Sequence, residues 1–258
     1  MPSCIHLASD LHLGAPSVDS SVSRERAFVS WMRQAASGEG FAKGHKATEI
    51  HLVGDIFDFW FEYGKAIPKG GARLMGAIAE ITDVGVPVHF HVGNHDMWTF
   101  GYLEEELGVM VHREPILRTW DGLTCYVGHG DGLGPGDKRY KWLKKVFTSS
   151  ICQSAFRWVH PDWGISLARA WSLKSRQHAD APVNDLTREH LYAFAQNWLH
   201  DDAKPHVDAF VFGHRHWPLN VVIEGSSSRY VNAGDWLTHG TSVMIHDGEV
   251  DLLTHSLG

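Results

Sequence analysis

Five times along this chain an apolar run stops and side chains able to hold a metal ion begin. The stretches are ASDLHLG (8–14), VGDIFDFW (53–60), VGNHDMW (92–98), YVGHGDG (126–132) and FGHRHW (212–217). Ligands in α/β folds gather where strands end and loops begin, so five such endings are expected to converge on one cleft. The side chains so placed are Asp10, His12, Asp55, Asn94, His129, His214 and His216, which offer carboxylate, amide and imidazole but no thiolate. Seven ligands exceed a four-coordinate zinc site and suit two five- or six-coordinate divalent ions with Asp55 shared between them. Ions about 3.5–4 Å apart can polarise a phosphoryl oxygen and supply a hydroxide for in-line attack. Each residue alone has an ordinary alternative as a solvated or helix-capping group, and it is their joint occurrence that points to phosphoester chemistry.

The rest of the chain fits an α/β reading. With 258 residues, 43% of them hydrophobic, it can bury a sizeable core in one domain spanning 1–258. Strands are expected near 4–9, 49–54, 87–92, 123–128, 207–212, 219–224 and 229–233, helices near 24–36 and 72–82, and a terminal hairpin around Asp247-Gly248. The three cysteines, Cys4, Cys125 and Cys152, have no CxxC spacing, which argues against a disulfide framework or a thiolate zinc site. No basic region with a cleavable apolar segment opens the sequence, and no run of about 18 apolar residues occurs, so the expectation is a cytoplasmic protein without a membrane span. A net charge of −7 argues against a nucleic-acid coat, and no nucleic-acid or protein partner is expected.

Within the strand-end motifs, Asp55 directly follows a strand and a glycine, which favours it as the bridge, whereas Asp58 reads as a wall or supporting residue. His51, His89 and His91 lie inside strand runs, where they pack or orient ligands. Gly54, Gly93, Gly128 and Gly213 each precede a ligand, where a Cβ would crowd the metal cluster.

After GLGPG (132–136) the composition changes. Residues 138–176 carry nine Lys or Arg against the single acid Asp162. Tyr140, Leu143, Val146, Phe147 and Ile151 recur at helical spacing, suggesting one basic amphipathic helix, with a second around 165–173. The segment reads as a helical insertion, at about 137–180, between core strands. Its position suits peripheral contact with the anionic cytoplasmic face of an inner membrane.

The combination D-x-H, G-D, G-N-H-D, G-H and G-H-x-H resembles the calcineurin-like metallophosphoesterases over roughly 5–250. That resemblance implies a four-layer fold, two β-sheets flanked by helices. It implies one ion on Asp10, His12 and His216, a second on Asn94, His129 and His214, and Asp55 bridging, with Mn²⁺ as the expected metal. It further implies that His95 meets the phosphoryl group or leaving oxygen, with Asp96 orienting it. VGDIFDFWF, HGDGLGPGD and the insertion look like the subgroup that cleaves an acylated nucleotide sugar, UDP-2,3-diacylglucosamine. The expected reaction is attack of a dimetal-activated hydroxide on the α-phosphorus, releasing UMP and 2,3-diacylglucosamine 1-phosphate beneath a helical cap that holds the acyl chains. Asn94, His95, Asp137, Lys174 and Arg176 would contact the substrate. One departure is that the best-known enzymes of that subgroup carry Arg where this chain has His95. The competing readings are another dimetal phosphodiesterase or a broad-specificity phosphatase for a soluble phosphoester, and a noncatalytic scaffold.

Overall fold

The computed structural model describes residues 2–17, 21–136, 138–179, 186 and 189–257; the side chains of 169, 171 and 173–179 lie outside the description. Two sheets stack face to face. The first has strand order β11-β10-β1-β2-β3-β4, with β1 (Cys4–Ala8), β2 (Glu49–Val53), β3 (Val88–His91), β4 (Met110–His112), β10 (Thr241–His246) and β11 (Glu249–Thr254). The second runs β5-β6-β7-β9-β8, with β5 (Ile116–Trp120), β6 (Leu123–Val127), β7 (Ala209–Phe212), β8 (Leu219–Val222) and β9 (Arg229–Asn232). β1 through β4 are parallel neighbours, as are β6, β7 and β9.

Parallel strands buried on both faces need apolar side chains on both, and β1 and β7 are buried along their whole length. Alternation then sorts the core into layers. Ile5, Leu7, Val53, Val127, Val211, Val231, Val243 and Ile245 pack between the sheets. Ala8, Ile50, Leu52, Val88 and Phe90 face outward onto α1 (Val22–Ser37), α2 (Ala72–Asp83) and α3 (Tyr102–Leu107). Phe28, Trp31, Met32 and Ala35 form the buried stripe of α1, which Gly38 ends in a left-handed conformation. On the far side, α7 (His190–Leu199) covers Phe210, Phe212 and Tyr230. The order is helices, sheet, sheet, helix, the four-layer α/β architecture expected.

Four short elements escaped the periodicity: α3, β4, β5 and α7. The first three bury two residues at most, too few for an apolar pattern to register. The cap also differs in detail. The single helix expected through Ile151 is broken into α4 (Lys138–Phe147) and α5 (Ser150–Arg157), and α6 (Pro161–Ala179) is longer than expected. The break has a local cause, because the Ser149 hydroxyl accepts from the Cys152 amide and starts a new helix. Ile151 consequently points outward and is 82% exposed.

Several histidines are held as neutral rings, His6 and His51 fully buried and His255 partly so. Burial lowers His6 and brings His51 and His255 down to about 4. The unfolded chain gains protons below about pH 6.5 that these rings refuse until about pH 4, so stability is full above that window and falls through it. His51 alone accounts for up to about 3 kcal/mol. The melting temperature of EDTA-treated protein, followed by circular dichroism, is therefore expected to drop by about 5 °C or more between pH 7.5 and pH 5. His255→Gln should flatten that slope; an unchanged slope would reject the assignment for this ring.

Candidate metal centre

The seven residues singled out from the sequence meet at the carboxyl ends of β1, β2 and β3 in one sheet and β6 and β7 in the other. The backbone ties their loops together: the Asp10 amide donates to the Gly54 carbonyl (3.1 Å), His12 to Asp55 (3.0 Å) and Gly213 to His129 (3.1 Å). Each buried carboxylate then has one oxygen fixed by another loop. Asp10 Oδ2 accepts from the His214 amide (2.9 Å) and the Ser9 hydroxyl, and Asp55 Oδ1 accepts from the His95 amide (2.8 Å).

The second oxygen of each carboxylate faces imidazole nitrogens. Asp10 Oδ1 lies 3.1 Å from His216 Nε2 and 3.6 Å from His12 Nε2, and the two Nε2 atoms are 3.1 Å apart. Asp55 Oδ2 lies 3.2 Å from His129 Nε2 and 3.9 Å from His12 Nε2, so a single oxygen addresses both groups. Asn94 Oδ1 is 3.3 Å from His129 Nε2, and His214 joins Asp55 and His129 in a second cluster of ligand atoms. Ligands at about 2.1 Å from one ion are roughly 3.0–3.5 Å from their neighbours, and the separations here run from 3.1 Å between His216 Nε2 and Asp10 Oδ1 to 3.9 Å between His12 Nε2 and Asp55 Oδ2. Asp10 Oδ1 is buried and takes no hydrogen bond although a ring nitrogen is near. A donor set packed to contact distance with an unsatisfied oxygen at its centre fits a pair of divalent cations.

Tautomers support the same reading. His129 Nδ1 meets the Val53 carbonyl at 2.9 Å, which leaves Nε2 as the lone pair turned to Asp55 and Asn94. Asp10, His12, Asp55, His214 and His216 all have positive φ, between 45° and 67°. Such conformations cost non-glycine residues on the order of 1–3 kcal/mol and concentrate at functional sites. Gly93 and Gly213 have the steric role expected, since a Cβ would overlap Asp55 and Ser9 respectively, whereas one on Gly128 would meet Pro115 rather than a ligand.

The electrostatics call for positive charge. Burial pushes the Asp10 carboxyl up, but His216 and His12 outweigh it and hold it well below the usual range. Asp55 is lowered in the same way, with His129 and His95 overcoming burial. His129 is raised well above its ordinary value because Asp55 and Asp10 outweigh burial, while burial and His129 bring His214 down to about 4. Two buried carboxylates thus demand a cation, supplied by a proton on His129 or by a metal ion.

No family model matches this chain. The chain is 33% identical over 262 residues to the UDP-2,3-diacylglucosamine hydrolase of Porphyromonas gingivalis, covering 96% of this chain and 95% of that protein. The chain belongs to the UDP-2,3-diacylglucosamine hydrolase family. The enzyme of that name from Vibrio cholerae is 25% identical over 263 residues, covering 96% and 95% of the two chains. A hypothetical protein of Pyrococcus horikoshii shares the fold, with a TM-score of 0.52 at 8% identity over 98% of this chain and 88% of that one. An E. coli phosphoesterase aligns at a TM-score of 0.45 and 13% identity, covering 98% of this chain and 100% of its own.

Family membership leaves this chain's own supporting residues to be read from its contacts. Asp96 was expected to orient His95. Its carboxylate instead accepts from the Gly93 amide (2.7 Å) and the Ile56 amide (2.8 Å), tying two metal loops together. Burial and Asp55 push it up to about 7 against those amides. His95 Nδ1 is held by the Asp58 carbonyl at 2.9 Å, which turns Nε2 toward Asp55 Oδ2, 3.8 Å away. Asp58 also places Oδ1 3.4 Å from His12 Nδ1 and accepts there from Ser172 of α6 (2.6 Å). Of the two roles expected for Asp58, wall or supporting residue, its contacts fit the second: it lies against His12, holds His95 through its carbonyl and anchors the cap. Sequence reasoning missed Arg24, whose guanidinium holds the Leu11, His12 and Ala15 carbonyls, and Asp131, which takes Tyr140 (2.6 Å) and Lys144 (2.7 Å) from α4. The signal available for the first was Arg24 standing at helical spacing from Phe28, Trp31 and Ala35, on the face that α1 buries.

Beneath the cap lies a cavity of about 300 Å³ lined by Phe59, Trp98, Leu143, Phe147, Phe156 and Leu167, with Asn94 and His95 at its metal end. Trp142, Trp158 and Trp163 face outward, 65%, 91% and 76% exposed, and so do not line it. Lys174 and Arg176 fall on α6 with their side chains outside the description, and Asp137 lies outside the described residues.

Removing the shared oxygen should disable both halves of the centre. Asp55→Ala is expected to reduce bound Mn²⁺, measured by elemental analysis after desalting, from two ions per chain to one or none. Two ions retained at wild-type affinity would show that Asp55 does not bridge.

Proposed function

We propose that this chain hydrolyses UDP-2,3-diacylglucosamine at the α-phosphorus, giving UMP and 2,3-diacylglucosamine 1-phosphate. The observation that carries the reading is the junction of an oxygen- and nitrogen-only metal centre with an apolar cavity, meeting at Asn94 and His95. A pyrophosphate needs the first and acyl tails need the second. The names of the P. gingivalis and V. cholerae relatives support the same substrate.

In this reading Asp10, His12 and His216 hold one ion, Asn94, His129 and His214 the other, and Asp55 both. Bound there, the pair supplies Lewis-acid polarisation of a phosphoryl oxygen and acidification of water. Oxygen, imidazole and a central carboxylate admit Mn²⁺, which we take as the metal. The chain's own groups do the positioning. His95, with Nδ1 fixed on the Asp58 carbonyl, turns Nε2 toward the place where the phosphoryl group or leaving oxygen would lie. Trp98, Phe147 and Phe156 exclude bulk water from the cavity and seat an acyl chain. Asp137, Lys174 and Arg176 are assigned to the sugar and its phosphate, completing the substrate set with Asn94 and His95. We take 1–258 as one metallophosphoesterase domain in which about 137–180 is the cap.

The cap is also assigned a membrane contact, at the cytoplasmic face of the inner membrane. No helix among the described residues is long and apolar enough to cross a membrane. Exposed Trp142, Ile151, Trp158, Trp163 and Leu167 stand on the same helices as the basic residues, a composition suited to an anionic interface. Lys144 is engaged with Asp131 and Lys141 with the Gly134 carbonyl, so Lys138, Arg139 and Lys145 are the better candidates for lipid phosphate.

Purified protein with Mn²⁺ and UDP-2,3-diacylglucosamine in mixed micelles should release UMP. An intact nucleotide sugar under conditions where a soluble diester is cleaved would favour a phosphodiesterase instead. Trp158→Ala combined with Trp163→Ala should weaken co-sedimentation with anionic vesicles about tenfold while leaving hydrolysis of a soluble diester unchanged. Equal sedimentation of both proteins would remove the membrane assignment.

A further inference from the structure

A second convergence of metal-capable side chains lies between the sheets, toward the β4 edge. Glu49 and His51 on β2, His89 and His91 on β3, and His112 on β4 share a neighbourhood. The residues alternating with them, Ile50, Leu52, Val88 and Phe90, belong to the helix-side core, so these five turn toward the other sheet. His51 stands opposite His89 in register, and His91 opposite His112.

Glu49 Oε2 lies 3.2 Å from His51 Nε2 and 3.3 Å from His89 Nε2, and the three ligand atoms fall within 4.8 Å of one another. The far ring nitrogens are held in turn: His51 Nδ1 meets His91 Nε2 at 3.0 Å and His89 Nδ1 meets His112 Nε2 at 2.8 Å. Elsewhere between the sheets the same positions carry Val and Ile, which would be cheaper to bury than four imidazoles and a carboxylate. As hydrogen bonds alone, the arrangement is over-subscribed. Two ring nitrogens and Arg118 Nη1 (3.5 Å) converge on one carboxylate oxygen, and His89 Nε2, on a residue only 1% exposed, is left without a hydrogen bond.

We propose that Glu49, His51 and His89 form a third cation site, for Zn²⁺ or another divalent ion that prefers imidazole, separate from the pair at the strand ends. His51 and His89 lie inside β2 and β3, whereas Asp55 and Asn94 follow the ends of those strands. With an ion present, both Nε2 atoms become ligands, and both Nδ1–H groups donate to His91 and His112, which then orient the liganding rings. The His51 and His89 rings are stacked 4.3 Å apart at 5°, so binding tilts them about their Cβ–Cγ bonds to aim both lone pairs at the ion. Arg118, whose side chain is 43% exposed, releases Glu49 into solvent contact, and water completes the coordination. Two imidazoles and one carboxylate bind Zn²⁺ more tightly than Mn²⁺, which is why Zn²⁺ is the ion used to fill the site. An ion here would staple β2 to β3.

The test counts ions and does not depend on turnover of any substrate. Full-length protein saturated with Mn²⁺ is titrated with Zn²⁺, desalted and analysed for total metal, so exchange at the strand-end pair does not alter the sum. Three ions per chain are expected in the wild type and two in His89→Gln and in Glu49→Gln, with circular dichroism confirming that each variant is folded. Should His89→Gln fail to fold, Glu49→Gln, at a half-buried position, decides alone. In a parallel Co²⁺ titration, a third equivalent with visible d–d absorption should vanish in the folded variant. Two ions in the wild type, or three in a folded variant, would overturn the proposal.

Discussion

The arrangement depends on how two buried carboxylates are held. Asp10 and Asp55 each surrender one oxygen to a backbone amide from a different loop, His214 and His95 respectively, and keep the other for the cluster. A carboxylate buried alone would protonate rather than stay charged. These two remain ionised because imidazoles crowd the free oxygens, and the same crowding makes the gap a cation site. The amides add direction: they fix each carboxylate plane, so Asp55 Oδ2 faces His12 on one side and His129 on the other. The left-handed backbone at five of the ligands is the local cost of bringing short loops from two sheets to within contact distance.

The cap is linked to that centre by polar latches, not by apolar packing alone. Ser172 reaches Asp58, which supports His12 and His95, and Tyr140 and Lys144 reach Asp131, which follows the candidate ligand His129 by two residues. The helices that wall the apolar cavity are therefore tied to the residues that organise the metal ligands. This also explains the exposed tryptophans. Phe147 and Phe156 fill the inward face, α4 and α5 are too short to bury a second face, and Trp142 and Trp158 are left on the outside.

The fold was legible wherever an element carried an uninterrupted apolar pattern. β1, β2, α1 and α2 fall within two residues of their expected bounds because their apolar residues alternate or recur without interruption. α3, β4 and β5 were not seen, because each buries two residues at most and so shows no apolar pattern, whereas β1 and β2 are buried almost throughout. The continuous cap helix failed at Ser149, where a side-chain cap outcompeted helical propensity over one turn. For the centre, residue type and position after a strand were sufficient to pick out the seven side chains that the structure brings together. Support was harder to read. Asp96 follows His95 in sequence, yet its carboxylate binds backbone amides, and the carbonyl that holds His95 comes from Asp58, 37 residues earlier.

By itself the sequence determined the chemistry available: oxygen and nitrogen ligands without thiolate, five strand ends to carry them, and a basic, aromatic insertion. Those are properties of residue type and local period, which a linear string contains. Only the tertiary structure decided that Asp55 shares one oxygen between two ligand groups, that Asp58 props two rings, and that four strand histidines and Glu49 gather between the sheets. Each is set by the stacking and register of strands distant in sequence, and hydrogen-bond direction across such a gap has no signature in any single segment.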